Sequence, residues 1–254
     1  MRLLTEDHIE DIALGAAILG TGGGGDPYIG KVMTIAAIKQ YGPIELYDLN
    51  ELEDEDLIIP AAGMGAPAVL IEKLPAGDDM IRAFEALGKY LGKKPKATMS
   101  IEAGGLNSVM PMYVASRLRL PMVDADGMGR AFPELQMTLF TAKGITATPF
   151  AMSDERGNVL LMNTVTNKWT ETFARSIVVN MGAMSMVALY SATIKQLKQA
   201  AIPGTITLAE TIGKAIRKAR TEEANPVEAL CQSVGAFLLF KGKLSDVNRK
   251  IQGG

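Results

Sequence analysis

The chain predicts a layered α/β fold, and three observations carry that prediction. Apolar runs of strand length recur at Leu57-Ile58-Ile59, at Lys96 to Ile101 and at Met122-Val123. Each leads into a loop of small residues, and helical spacing of apolar side chains follows at Asp78 to Leu91 and again at Asn107 to Leu118. Strand, small-residue loop and helix in repetition is the pattern of a sheet covered by helices. The region after about residue 165 reads differently, as an α+β segment that looks incomplete. The expected division is therefore 1–165 and 166–254.

Composition narrows the function. A chain of 254 residues, 48% hydrophobic and 21% charged, can bury a sizeable core. Its net charge of −2, with no basic block, argues against nucleic acid as a partner. The single Cys231 leaves no intrachain disulfide framework and fits a reducing compartment. The single His8 excludes a multi-histidine metal site and any Ser-His-Asp triad built on another histidine. No apolar run is long enough for a membrane span, because the stretch from Ile177 to Tyr190 is interrupted by Asn180, Gly182 and two serines. Thr5-Glu6-Asp7 stands where a secretory segment would need a basic end. A soluble, cytoplasmic protein with no membrane partner is expected.

The elements follow in order. Thr5 to Leu19 carries Ile9, Ile12, Ala13 and Ala16 on one face, with Thr5 as cap, and predicts a helix in which His8 is a surface residue. Gly20-Thr21-Gly22-Gly23-Gly24-Gly25 comes next, and Asp26 as cap with Pro27 behind it starts a second helix. Ile44, Leu46 and Tyr47 suggest a strand after Pro43. Leu57 to Ile59 is a buried strand opening into a Gly63-Met64-Gly65 loop, and Lys96 to Ile101 opens into Glu102 to Ser108. Beyond these, Ile145 to Met152 and Val159 to Thr164 flank the turn Asp154-Glu155-Arg156-Gly157-Asn158 as a hairpin. Trp169 to Phe173 is amphipathic, and Ala174 to Met181 fits strand or helix. Ser191 to Ala201, Thr207 to Arg220 and Pro226 to Ser233 read as helices. The fifteen methionines sit mostly at core spacing, and Cys231 lies on an apolar face as an inert buried thiol.

Two stretches carry the chemistry. The glycines formally match G-x-G-x-x-G at Gly20, Gly22 and Gly25, but a helix precedes them where the dinucleotide fingerprint needs a strand. Successive glycines mean backbone pressed against something, and an N–H cradle for an anionic or carbonyl group is one reading. A mere joint between helices is the other. In the second stretch Asp124 and Asp126 stand at i and i+2, followed by Gly127-Met128-Gly129, Arg130 and Glu134. Two such carboxylates ask for a cation, a proton or a hydrogen-bond cage; a solvated turn with capping aspartates is the plainer alternative. In layered α/β folds ligands bind at the carboxyl ends of strands, so Glu102, just past one such end, is conspicuous.

Four segments, in this order, carry a family resemblance. Leu19-Gly20-Thr21-Gly22-Gly23-Gly24-Gly25-Asp26-Pro27 is the first and Ala62-Gly63-Met64-Gly65-Ala66-Pro67 the second. Glu102-Ala103-Gly104-Gly105-Leu106-Asn107 is the third, and Val123-Asp124-Ala125-Asp126-Gly127-Met128-Gly129-Arg130-Ala131-Phe132-Pro133-Glu134 the fourth. Together they resemble the S-methyl thiohydantoin desulfurase family, hydantoinase-like, and the likeness continues more weakly through Ile202-Pro203-Gly204-Thr205. The resemblance implies a hydrolytic enzyme acting on a small cyclic amide or imide ring of the hydantoin or S-methyl thiohydantoin type. Water must attack a C=N or C=O carbon, so a carboxylate should accept its proton and donors should stabilise the developing charge.

The candidate catalytic acids are Glu102, Asp126 and Asp124, with Asp126 or Glu102 as base. Thr21, Gly22, Gly23, Gly24, Gly25, Asn107 and Arg130 are the candidate substrate-binding residues. Asp124, Asp126 and Glu134 could hold a divalent metal through oxygen. A non-catalytic metabolite-binding module and a nucleotide-dependent partner of an oxoprolinase-type enzyme are the competing readings. Members of the family continue into a β-rich region, so Leu244, Val247 and Ile251 are expected to open an unpaired strand, with Gly253-Gly254 as its turn. An unpaired edge invites self-association, and a homo-oligomer is expected.

Overall fold

The computed structural model describes residues 1–66, 69 and 75–247. Strands β1 (Arg2–Leu4), β2 (Ile44–Tyr47), β3 (Leu57–Gly65), β4 (Ala97–Ser100), β5 (Met122–Val123), β7 (Phe150–Ser153), β8 (Val159–Met162), β9 (Met184–Ala188) and β10 (Ala192–Thr193) form one mixed sheet. Its order is β1-β2-β5-β4-β3-β9-β7-β8, with β10 paired to the start of β3. Strands β2, β5, β4 and β3 run parallel, so their carboxyl ends share one edge. The remaining pairings are antiparallel. A second, two-stranded ribbon joins β6 (Ala125–Asp126) to β11 (Ile202–Pro203).

The layering follows from the period of two along each strand. On β3, Ile59 and Ala61 face one core with Met80, Phe84 and Leu87 of helix α3 (Asp78–Leu91) and Met110 and Val114 of α4 (Leu106–Leu118). Ile58, Ala62 and Met64 face the opposite core, with Ala174 and Val178 of α6 (Asn167–Asn180) and with Phe140 of the short helix α5 (Leu139–Ala142). β9 repeats the alternation, with Met184, Met186 and Ala188 on the first side and Val187 on the second. The sheet is thus covered on both faces, which explains why its strands are nearly continuous apolar runs. A layered α/β fold results.

The amino-terminal helices α1 (Glu6–Leu19) and α2 (Tyr28–Tyr41) add a third core around Ile9, Ile12, Ile38 and Val109. His8 belongs to the cap of α1, where its Nδ1 accepts from the Thr5 N–H at 3.1 Å. Helix α8 (Thr205–Thr221) crosses α1 at close range. A Cβ on Gly15 would lie 1.8 Å from the Ala209 carbonyl oxygen, and one on Gly213 1.8 Å from that of Asp11. The crossing is pinned by Arg217, whose Nε and Nη2 bond the two Asp11 oxygens at 2.6 and 2.8 Å.

Several expectations change. β3 continues through Gly63 and Gly65 instead of ending in a loop there, while Pro67 lies outside the described residues. The segment 174–181 is helix up to Asn180, the second half of α6, because Ala174 and Val178 bury one helical stripe. The first hairpin strand begins only at Phe150. Cys231, on α9 (Pro226–Val234), is half-buried and not enclosed. Helix α7 (Ile194–Ala200) and α8 fall close to their predicted spans. Residues 236–247 form no strand, and Ile251 and Gly253-Gly254 lie outside the described residues. The boundary expected at 165/166 falls between β8 and α6, yet the sheet continues across it, because β9 pairs with β3 at its side of the parallel strands.

Candidate active site

A cavity of about 360 Å³ opens at the carboxyl ends of β3 and β4. Its walls come from the glycine loop, from Ala62 to Gly65, from Ile101 to Asn107, and from Ala131 to Leu135. Met184, Val187 and Leu189 close the apolar side, and Glu171 with Arg175 of α6 complete the lining.

Glu102 is the acid at its deep end, only 5% exposed. It sits two residues past β4, in the turn that carries the chain into α4. One carboxylate oxygen accepts from Asn107 Nδ2 at 2.7 Å, the other from the Phe132 N–H at 2.8 Å. Burial pushes its carboxyl up to about 7. The bonds from Asn107 and Phe132 pull the other way, and the neighbouring Asp126 charge adds to the rise. A carboxyl balanced near neutrality inside a cavity can both take and return a proton.

Asn107, in the first turn of α4, does more than donate to Glu102. Its Oδ1 accepts from the Gly63 N–H at 2.7 Å and its Nδ2 reaches the Gly63 carbonyl at 3.2 Å. The end of β3 and the acid past β4 are thereby tied to one side chain. Gly23, Gly24, Gly25 and Thr21 all line the cavity; Gly22 does not. The glycines are explained by backbone contact. A Cβ on Gly105 would lie 2.2 Å from the Gly24 carbonyl oxygen, and Gly105 itself has a φ of +61°. The Gly24 oxygen accepts from the Leu106 N–H at 2.8 Å, and the Ala16 oxygen accepts from Gly105. The first N–H of α4 is thus already occupied, and Asp26 Oδ1 accepts from the Tyr28 N–H at 2.8 Å just ahead of α2, with Pro27 and not Asp26 in the cap position.

The two aspartates take separate partners. Asp126 is fully buried and accepts from the N–H groups of Ala103, Met128 and Gly129. Burial raises its carboxyl to about 6, against the pull of these backbone bonds and of the nearby Thr205 hydroxyl. It does not line the cavity; it holds the turn that presents Glu102. Asp124 caps α8: its Oδ1 accepts from Ile206 and Thr207 at 2.9 and 3.1 Å, and its Oδ2 from the Thr207 hydroxyl. Its oxygens are thus committed to a helix end, as a structural cap.

Two further candidate residues lie apart from the cavity. Arg130 is exposed, bonds the Ala131 carbonyl and no other group among the described residues, and does not line the cavity. Glu134 turns outward to Lys168 at 2.5 Å and to Gln136, and Lys168 holds its carboxyl below the usual range. Asp124, Asp126 and Glu134 therefore do not converge. Among the described residues no three His, Cys, Asp or Glu side chains gather to hold a metal, so this donor set does not fit a divalent ion.

Glu171 and Arg175 were not anticipated. At i and i+4 on an amphipathic helix they look like any exposed ion pair; only the docking of α6 over the sheet brings them to the cavity. Glu171 is buried, accepts from the Leu135 N–H at 3.1 Å, and bonds Arg175 Nε and Nη2 at 2.9 and 2.7 Å.

No helix among the described residues is long and apolar enough to cross a membrane. No protein of curated function matches the chain. One similar solved structure is a crystal structure of a protein from Chromobacterium violaceum, with a TM-score of 0.79 and 26% identity. The match covers 91% of this chain and 65% of that one, so the chain spans just under two thirds of that protein's length. Two family models match end to end: the S-Me-THD-like N-terminal domain over residues 7–164 and the S-Me-THD-like C-terminal domain over 165–254. The chain belongs to the S-Me-THD-like family, the S-methyl thiohydantoin desulfurase family whose glycine and acid motifs it carries.

Proposed function

We propose that the chain provides the active site of a hydrolase for a small five-membered cyclic amide or imide, of the hydantoin or S-methyl thiohydantoin type. The observation that carries this reading is Glu102, a buried carboxyl near neutrality at the deep end of a largely apolar cavity. A flat, weakly polar ring fits walls made of Ile101, Leu106, Phe132, Leu135, Met184 and Val187.

In this reaction Glu102, ionised, takes a proton from water as the water oxygen bonds to the ring carbon that carries the S-methyl group and the C=N π pair moves to the ring nitrogen. The C–S bond then breaks. The proton passes from Glu102 to the leaving sulfur while the added hydroxyl gives its own proton to that ring nitrogen, so that methanethiol and a ring C=O beside an N–H result. Asn107 keeps Glu102 in place against β3, and Asp126 holds the turn beneath it. Asp126 is thus a positioning residue, and Glu102 alone is the base.

The test is turnover of S-methyl thiohydantoin and of hydantoin by the purified protein, followed as thiol release and ring opening. Glu102→Gln should lower the rate by a factor of roughly a hundred or more, the usual scale for a lost general base, with unchanged circular dichroism. A variant as active as the parent removes the assignment. Ring binding without turnover in the parent would favour a metabolite-binding module.

A further inference from the structure

The cavity has two polar ends of different character. At the deep end Glu102 and Asn107 are 5% and 8% exposed. At the other, Arg175 is the single cation among the described lining residues, with 36% of its side chain open to solvent. The segment Phe132 to Leu135 forms the wall between them. Its Phe132 N–H is held by Glu102, its Leu135 N–H by Glu171, and its Pro133 carbonyl faces Arg175 Nη2 at 3.5 Å.

The guanidinium is oriented but not used up. Glu171 engages it through one oxygen, which receives Nε and Nη2. The Nη1 nitrogen makes no hydrogen bond among the described residues. Glu171, buried at 7% of its side chain, is compensated by Arg175 and the Leu135 N–H. The result is a rigidly held guanidinium whose Nη1 keeps both its N–H groups at the less buried end of an apolar cavity, beside an Nη2 held only at 3.5 Å by the Pro133 carbonyl. A planar oxyanion there takes a charge-assisted bond from Nη1, and a paired one where it displaces the long Pro133 contact of Nη2.

We infer that Arg175 anchors an acidic group of the substrate, so that the ring bound at Glu102 carries a short carboxylate side chain. This rests on the ring-hydrolase reading and adds to it the class of substituent. The apolar wall of Phe132, Pro133 and Leu135 spans the stem between ring and acid. The ring is then held by both ends, which supplies orientation as well as affinity.

The experiment compares hydantoin-5-acetic acid with its neutral amide by calorimetric titration, on the parent, Arg175→Gln and Arg175→Lys. The parent should bind the acid at least about tenfold more tightly than the amide, the scale of a charge-assisted pair. Arg175→Gln should erase the preference while leaving amide affinity within about twofold; Arg175→Lys, which keeps charge but loses the fork, should restore part of it. Equal affinity for acid and amide in the parent, or a preference that survives in Arg175→Gln, overturns the inference. Glu102→Gln separates the two readings, because it should lose turnover and keep the preference for the acid. Should neither ring compound bind, succinamate serves as the ring-free acid. Its binding to the parent but not to Arg175→Gln would uphold the anion site and remove the ring, and its failure to bind would remove both.

Discussion

Asn107 Nδ2 lies 2.7 Å from Glu102 Oε1 while Asn107 Oδ1 holds the Gly63 N–H at the same distance. One carboxamide therefore joins the ends of two parallel strands and sets the acid at the cavity's deep end. Its bond to Glu102 is one of the forces holding that carboxyl down against burial. Asn107→Ala should remove it and move the carboxyl above about 7. In a pH–rate profile, the rise that marks ionisation of the base should shift to higher pH. An unmoved midpoint would show that the Asn107 bond does not tune the acid.

The same burial makes stability depend on pH. Glu102 and Asp126 are raised in the folded state, to about 7 and about 6, from unfolded values near the usual carboxylate range. The folded chain then binds more protons than the unfolded one between about pH 4 and 7, so the linkage slope is negative. Their favourable contribution is complete below the unfolded values and is lost as pH rises through the folded ones. Denaturant titrations should show stability falling over that window, with a shallower fall in Glu102→Gln. Parallel slopes in the two proteins would refute the burial of charge at Glu102.

Asp124 makes a prediction of the opposite kind. It satisfies two N–H groups and one hydroxyl at the start of α8, the helix that crosses α1 through Gly15 and Gly213. Asp124→Ala should destabilise the fold by about 1–2 kcal/mol, the loss expected of a helix cap, without changing the rate per folded molecule at a temperature well below the melt. A fall in turnover that exceeds the fall in folded fraction would return Asp124 to the chemistry.

Among the described residues β8 stands at the edge of the sheet, with Val159 and Leu161 exposed at 45% and 41%. Exposed apolar edges pair with other chains unless a charge blocks them. We expect self-association through this edge, and Leu161→Lys should shift sedimentation toward the monomer. A parent protein already monomeric at all accessible concentrations would rule that out.

The acidic stretch shows what sequence spacing leaves open. Asp124 and Asp126 at i and i+2, with Arg130 and Glu134 behind, suggest one cluster. In three dimensions the chain leaves the large sheet after Val123 and pairs Asp126 with Ile202 of the ribbon. Asp124 is spent on α8, Asp126 on the turn beneath Glu102, and Arg130 and Glu134 face outward. The helix end that Asp124 caps lies more than eighty residues away, and Ala103 and Lys168 lie 23 and 34 residues from Asp126 and Glu134, so local spacing does not assign the carboxylates to their partners. The glycine loop is a similar case. Its crowding was legible, but the object pressed against it was the Gly104-Gly105 backbone.

Local patterning determined the layered α/β class, the parallel strands whose carboxyl ends share an edge, most helices within a few residues, and the family motifs. These depend on periodicity, caps and turns, which act over a few residues. That Glu102 and Asn107 stand beside the cavity was legible too, because strand-end loops of a parallel sheet converge on one edge whatever the rest of the chain does. Tertiary structure alone decided that β9 joins β3 and makes one sheet of both halves, and that α6 carries Glu171 and Arg175 to the cavity. It also separated Glu102, which lines the cavity, from Asp126, which holds the turn beneath it. An ion pair on a helix and a carboxylate in a turn have the same sequence signature in solvent and in a cavity; burial distinguishes them, and burial is a property of the packed chain.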